Sequence, residues 1–222
     1  LLLVSRFLPE TNLPAQPTAR FFVILKNMGK SYGQLLKMPQ FSAYAFIPGG
    51  GSGVFFAHVI SSPFLAIETL KISPASFGTY FIMMPLGYMT GNLLSGRVGN
   101  RASIGFMTIG GSTLCLLIVF GEWLWYYIGG LHIMGLMVPG ALLGIAQGMC
   151  LPYAQAGAMK INPSLAGSAA AAVVFTQLLF AGIAEQTVGF LADGSIHPTL
   201  IVMFGFSILS LGSAIFAEMQ NH

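Results

Sequence analysis

The stretch AGSAAAAVVFTQLLFAGIAEQTVGFL, residues 166–191, decides the fold class because it is apolar along its length and carries one charged residue, Glu185. About 20 apolar residues in a helix cross the roughly 30 Å hydrocarbon core of a bilayer. The stretch therefore predicts a transmembrane helix. A carboxylate at bilayer depth costs at least about 2.5 kcal/mol, and such residues usually face the protein interior or a water-filled path.

The rest of the chain repeats this pattern. Of its 222 residues, 55% are hydrophobic and 7% are charged, whereas soluble domains carry about 25% charged residues. Five further stretches are apolar enough to span a membrane, at 42–63, 74–95, 102–121, 130–153 and 198–217. We therefore expect an all-α integral membrane protein in which residues 41–222 form a domain of six transmembrane helices.

The cations predict the orientation of this domain, because positive charge concentrates on the cytoplasmic side of a membrane. In a six-span arrangement, eight of the nine lysines and arginines fall on one side, and only Lys71 falls on the other. We expect that side and the C-terminus to be cytoplasmic, in a multi-pass protein of the cell's inner membrane. The eight are Arg6, Arg20, Lys26, Lys30, Lys37, Arg97, Arg101 and Lys160.

The N-terminal 40 residues differ from the rest in composition. Residues 1–11, LLLVSRFLPET, read as the end of a preceding transmembrane helix, so the chain is expected to be a fragment. Residues 12–40 are expected to form a cytoplasmic loop. Within it, 20–37 has apolar residues at helical spacing and lysines on another face, which is typical of a basic amphipathic helix at a membrane surface. A solvated linker is the alternative.

Glycines, glutamines and a proline interrupt the apolar spans. The first span contains IPGGGSG, residues 47–53, where Pro48 removes a backbone donor. We expect a bend or break there beside a cavity, since broken transmembrane helices often mark a substrate site. In the fourth span, Gly140, Gly144 and Gly148 share one stripe, which permits close helix packing. The candidate substrate-lining residues are Gly49, Gly50, Ser52, Gln147, Gln155 and Gln177.

Glu185 lies on a small and polar stripe of its span, with Ala181 and Gln177 on the same face. His58, in the first span, lies at a similar depth. A carboxylate and an imidazole at matching depth can exchange a proton, so the two are the candidate proton-coupling residues. Alternatively, Glu185 reaches the outer interface or partners a backbone break.

Three stretches resemble one family in particular. RFLPETNLPA, residues 6–15, resembles the end of the sixth helix in the Bcr/CflA drug-resistance branch of the major facilitator superfamily. SPASFGTYFIMMPLGYMTGNLLSGRVGNR, residues 73–101, is similar to the family's eighth helix and the turn after it. LAGSAAAAVVFTQLLFAGI, residues 165–183, followed by DGSIHP, residues 193–198, is similar to its eleventh helix and outer loop.

The resemblance implies the C-terminal half of a twelve-helix transporter, which works by alternating access with its N-terminal half and exports drugs or other small amphipathic compounds in exchange for protons. It implies a gating role after the second span, with Gly91, Arg97 and Arg101 as candidates. The family's acidic residue is replaced there by Ser95. The expected partners are a small-molecule substrate, protons, the lipid bilayer and the N-terminal half.

Two alternatives remain. GGSG at 50–53 and HIMG at 132–135 meet the short patterns of a rhomboid-like intramembrane serine protease, with Ser52 and His132 as the dyad. A six-span half-transporter that acts as a dimer is the other. No Walker-type loop or metal-ligand cluster is present in the sequence, so an ATP-driven pump is not supported. We expect no enzyme activity, cofactor, metal or nucleic-acid partner.

Overall fold

The computed structural model describes residue 29, residues 32–35 and residues 37–220, and within them it contains helices and no strand. The expectation of an all-α membrane protein is confirmed. The expected helix end at 1–11 and most of the expected amphipathic helix at 20–37 lie outside the described residues. The helices are α1 Pro39–Phe64, α2 Pro74–Phe81, α3 Met83–Val98, α4 Ile104–Gly129, α5 Ile133–Ile161, α6 Ala166–Leu191 and α7 His197–Met219.

Five of the helical segments in the described part of the chain are long and apolar enough to cross a membrane. They contain α1, α4, α5, α6 and α7. The second expected span is present as two shorter helices, α2 and α3, with Ile82 between them. Pro85 accounts for the interruption, because proline has no N–H to bond to the carbonyl four residues earlier and its ring crowds that carbonyl.

The helices run alternately up and down, so their ends form two opposite surfaces. We call one surface the basic end: α1, α4 and α6 begin there, and α3, α5 and α7 finish there. Among the described residues, the lysines and arginines at this end are Lys37, Arg97, Arg101 and Lys160. Lys71 lies at the opposite end, beyond α1.

Helix α1 is the centre of the bundle, and its glycines receive side chains and backbone from three other helices. A Cβ atom on Gly49 would lie 2.9 Å from the Phe180 ring of α6. On Gly50 it would lie 2.8 Å from the Phe206 carbonyl oxygen of α7, and on Gly51 it would meet the Gln147 side chain of α5. The run of glycines is therefore where α1 touches its neighbours most closely.

The helix has no break at residues 47–53, because α1 is continuous through them and every one of these residues is buried. A bend at these residues stays a prediction. Packing against three helices holds the backbone in place despite Pro48. The Ser210 hydroxyl donates to the carbonyl of Ile47, and the Gln147 amide donates to that of Pro48. Irregular backbone appears later, as a π-helical turn at Leu65–Thr69 that follows Pro63.

Glycines also bring α3 and α5 together. A Cβ on Gly87 or Gly91 would meet the backbone of Ala141 or Ile145. In the other direction, a Cβ on Gly144 would lie 2.8 Å from the carbonyl oxygen of Met84. The predicted role of the Gly140, Gly144 and Gly148 stripe in close packing is confirmed.

Candidate functional site

A buried contact between a histidine and a glutamate joins α1 to α4. His58 Nδ1 lies 3.3 Å from Glu122 Oε1, and the two side chains are 1% and 2% exposed. Both residues are about 28 Å along their helices from the basic end at 1.5 Å per residue, so the two helices present them at one depth. A carboxylate without water at this depth is costly unless a partner compensates it. Among the described histidines and acidic residues, these two are the most deeply buried.

Helix α5 fixes the other side of the imidazole. His58 Nε2 lies 2.9 Å from the carbonyl oxygen of Leu136, in the first turn of α5. Gly140 leaves room for the ring, because a Cβ there would lie 2.9 Å from Nε2. The hydroxyls of Ser61 and Ser62 donate to the His58 carbonyl. The imidazole is therefore held between three helices.

Glu185 is half-buried on α6, beside the buried residues Ala181, Ala184 and Val188. The carboxylate that pairs with His58 is that of Glu122. No ion pair joins Glu185 to His58 in the described part of the chain, and Glu185 remains a candidate by itself.

Two polar clusters cross the middle of the bundle. In the first, Gln147 Nε2 donates to Ser52 Oγ at 2.9 Å and to the Pro48 carbonyl at 3.3 Å. In the second, the Ser112 and Ser210 hydroxyls lie 2.9 Å apart. Ser52 and Gln147 are both buried, so in this conformation they bond to each other across α1 and α5.

The remaining glutamines are less enclosed. Gln155 is half-buried on α5, nearer the basic end. Gln177 is half-buried on α6, and its Nε2 atom is buried without a hydrogen-bond acceptor among the described residues. A buried amide donor without an acceptor is uncommon in proteins. Gln177 can therefore accept a new partner without losing an existing hydrogen bond.

The candidate gating residues lie in α3 and in the turn that follows it. Gly91 is buried inside α3 against Ile145. Arg97 is exposed in the last turn, and Arg101 is exposed in the 3-10 turn that follows. The Tyr153 hydroxyl of α5 donates to the Gly99 carbonyl at 2.6 Å, so it fixes the turn between the two arginines.

An open cavity of about 1060 Å³ lies at the basic end, among the ends of α1, α3, α4, α5 and α7. Its lining includes Tyr44, Lys160 and Glu218. The Glu218 carboxylate lies against Gly105 in the first turn of α4. Unpaired N–H groups at a helix start favour an acid there.

One loop at the opposite end carries a perturbed acid. The backbone N–H and the hydroxyl of Ser195 both donate to Asp193 Oδ1, at 2.8 and 2.7 Å. These hydrogen bonds, the one from the side chain above all, lower the pKa of Asp193. The Ser195 hydroxyl also accepts from the His197 N–H, so this loop shapes the start of α7.

The protease alternative requires Ser52 and His132 to meet. Ser52 is bonded to Gln147, whereas His132 is exposed at the start of α5. Gln147 and His132 are separated by about 22 Å along α5 at 1.5 Å per residue. The two side chains therefore do not form a dyad.

Glu122 is not predictable from hydropathy, because the third apolar stretch, 102–121, ends one residue before it. Helix α4 continues to Gly129 through the aromatic residues WLWYY, 123–127. Aromatic residues concentrate at membrane interfaces, and this run was the available signal that the span extends past the acid.

Comparison with known proteins points to transporters. The chain is 29% identical over 182 residues to multidrug resistance protein D of Escherichia coli K12. The aligned residues cover 81% of this chain and 43% of that protein. It is 23% identical over 228 residues to an uncharacterized transporter of Rickettsia felis, covering 97% and 53%. An uncharacterized transporter of Rickettsia bellii is 27% identical over 106 residues, covering 47% and 24%.

No family model matches the chain. The chain spans about half or less of the length of the curated relatives it matches. The relatives and the apolar helices together support a multi-pass membrane protein with a role in transport.

Proposed function

We propose that the chain is the C-terminal half of a major facilitator transporter of the Bcr/CflA type, which exports small amphipathic organic compounds in exchange for protons. The observation that carries the proposal is the similarity to multidrug resistance protein D over 81% of the chain. A protein with that name handles drugs, and the apolar helices here provide a compatible membrane bundle.

The transport cycle in this proposal is alternating access against an N-terminal half of the same protein. The C-terminus and the basic end face the cytoplasm of the inner membrane, in keeping with the positive-inside rule. Gln155, Gln177 and the glycine-rich part of α1 contribute to the substrate path. Gln177 is the most specific of these, because its buried Nε2 has no acceptor among the described residues and is available to a carbonyl or ether oxygen of a substrate.

Glu185 contributes an acid to the same face of α6 as Gln177. It is half-buried, and no hydrogen bond or ion pair joins it to another described residue. We propose that it binds a proton in one conformation and releases it in the other. Exchange requires only that proton and drug bind the two conformations with different affinities.

The proposal is tested with the full-length protein in cells whose own drug exporters are deleted. Expression should lower the accumulation of ethidium, and a protonophore should restore it. The matched variant Gln177→Leu should raise the concentration of a carbonyl-bearing drug, such as chloramphenicol, needed for half-maximal export, with little change in protein level. A full-length protein that leaves ethidium and a panel of other amphipathic drugs unaffected would refute drug export.

A further inference from the structure

The hydrogen bond between His58 and Leu136 determines where one imidazole proton lies. A backbone carbonyl oxygen only accepts hydrogen bonds, so Nε2, at 2.9 Å from the Leu136 oxygen, must carry a proton. In a neutral imidazole only one ring nitrogen carries a proton. Nδ1 would then be an acceptor, and it faces another acceptor, Oε1 of Glu122, at 3.3 Å.

Two acceptors do not face each other at this distance in a buried place without a proton between them. The proton lies either on His58, which makes an imidazolium beside a carboxylate, or on Glu122, which makes a carboxylic acid beside a neutral imidazole. In both forms the pair holds one proton beyond the Nε2 proton and has no net charge. Loss of that proton leaves one negative charge buried among apolar helices.

The Glu122 carboxylate could accept more hydrogen bonds than it receives. Neither Glu122 oxygen has a hydrogen-bond donor with good geometry among the described residues, although the side chain is nearly fully buried. A structural ion pair is normally completed by further donors. Glu122 has the His58 imidazole as its partner, so the protonation state of the carboxyl group is sensitive to the position of that ring.

No other charged group lies close enough to compensate the negative charge that loss of the shared proton would leave on the pair. On α4, Tyr126 is one turn beyond Glu122 and its ring contacts that of His197 on α7. On α5, the first charged residue after Leu136 is Lys160, at the basic end. In the described part of the chain, the other titratable groups on the surrounding elements include Glu68, Tyr80, Tyr88, Arg97, Cys115, Tyr127, His132 and Glu185. No hydrogen bond or ion pair joins any of these to His58 or Glu122.

We infer that His58 and Glu122 form a proton-binding site within this half of the protein, separate from Glu185, which exchanges its proton only when α1, α4 and α5 move apart at the Leu136 contact. Release requires water, because the deprotonated pair carries a buried charge. The two residues hold this proton together, since each determines whether the other can carry it.

The role of this site in transport rests on the proposed function, whereas the site itself does not. If the protein exchanges drug for protons, opening of the α1–α4–α5 contact is the step at which this proton enters or leaves. If it transports without protons, the pair is still a proton-binding contact that joins the three helices.

The test is infrared difference spectroscopy of the purified full-length protein, between about pH 5 and pH 9. The wild type should show bands for loss of an imidazolium or a carboxylic acid that are absent from both Glu122→Gln and His58→Gln. Glu122→Gln is expected to fold, because its amide can donate to Nδ1 in place of the proton. His58→Gln gives the same test by removing the other partner.

Glu185→Gln is the matched control and should retain those bands. Wild-type spectra that are indistinguishable from those of Glu122→Gln and His58→Gln would overturn the inference, because the pair would then exchange no proton. Loss of the bands in Glu185→Gln would overturn the separation of the two sites. Ethidium export that is independent of a pH gradient, together with the expected bands, would refute the coupled function and leave the proton site in place.

Discussion

The amide nitrogen of Gln147 donates to Ser52 Oγ at 2.9 Å, and this hydrogen bond joins α5 to the glycine-rich part of α1. The same nitrogen lies 3.3 Å from the carbonyl oxygen of Pro48. Both side chains are buried, so neither can replace the hydrogen bond with one to bulk water. The contact therefore stabilises the continuous helix that α1 forms through its proline and glycines.

The first prediction concerns this hydrogen bond. Gln147→Leu should lower the free energy of unfolding by about 0.6–1 kcal/mol, the typical contribution of one such bond in a membrane protein. Gln155→Leu on the same helix is the control and should change stability less, since Gln155 is only half-buried. Thermal unfolding of the purified full-length protein measures both. Equal destabilisation by the two substitutions would contradict the importance assigned to Gln147.

The second prediction concerns the glycines of α1. Gly50→Ala places a Cβ 2.8 Å from the Phe206 carbonyl oxygen and 2.9 Å from the Ser210 backbone nitrogen, and neither can move without shifting α7. Overpacking of this kind typically costs about 1–3 kcal/mol. Gly110→Ala is the control, because nothing lies within 4 Å of its Cβ. That substitution should raise stability by up to about 1 kcal/mol through helix propensity.

The same thermal unfolding assay compares the two glycine variants, and the opposite signs are the informative feature. If Gly50→Ala were neutral or stabilising, the close approach of α1 and α7 would be wrong.

The third prediction concerns orientation. A cysteine introduced at Lys71 or Ser195 should react with a membrane-impermeant maleimide added to intact cells, and one at Lys160 should react only after the membrane is permeabilised. The native Cys115 and Cys150 are buried, so their background labelling should be low. Labelling at position 160 in intact cells would place the basic end outside, against the positive-inside rule.

The fourth prediction concerns Glu185. In the full-length protein, Glu185→Gln should abolish export driven by a proton gradient while ethidium binding stays close to the wild-type value, because the amide keeps the shape of the side chain and cannot exchange a proton. Fluorescence titration of the purified protein measures binding, and cell accumulation measures export. A variant that retains normal proton coupling would make Glu185 structural.

The helices were largely predictable from sequence because each depends on a local apolar run. Helix α6, Ala166–Leu191, has the same bounds as the stretch 166–191 that hydropathy selected. The break expected at 47–53 is absent for a tertiary reason. Helix propensity counts Pro48 and the glycines against a helix, whereas packing of α5, α6 and α7 against them keeps it continuous.

The partner of His58 was not predictable in the same way. Depth alone matched His58 with Glu185, because both lie at a similar distance along their spans. The partner of His58 depends on which helices lie beside α1. Helix α4 is one of them, and it brings Glu122 to the imidazole although the two residues are distant in sequence. A single sequence gives depth along a helix, and it does not give the order of helices around α1.

Exchange of a small organic compound for protons is tested most directly by uptake into vesicles driven by a pH gradient. The full-length protein is reconstituted into liposomes with an acidic lumen, and the membrane potential is clamped with potassium and valinomycin. Ethidium added outside should accumulate in the lumen while protons leave it, and collapse of the pH gradient should stop accumulation. Ethidium entry that only equilibrates, at the same rate with and without the gradient, would contradict proton-coupled transport.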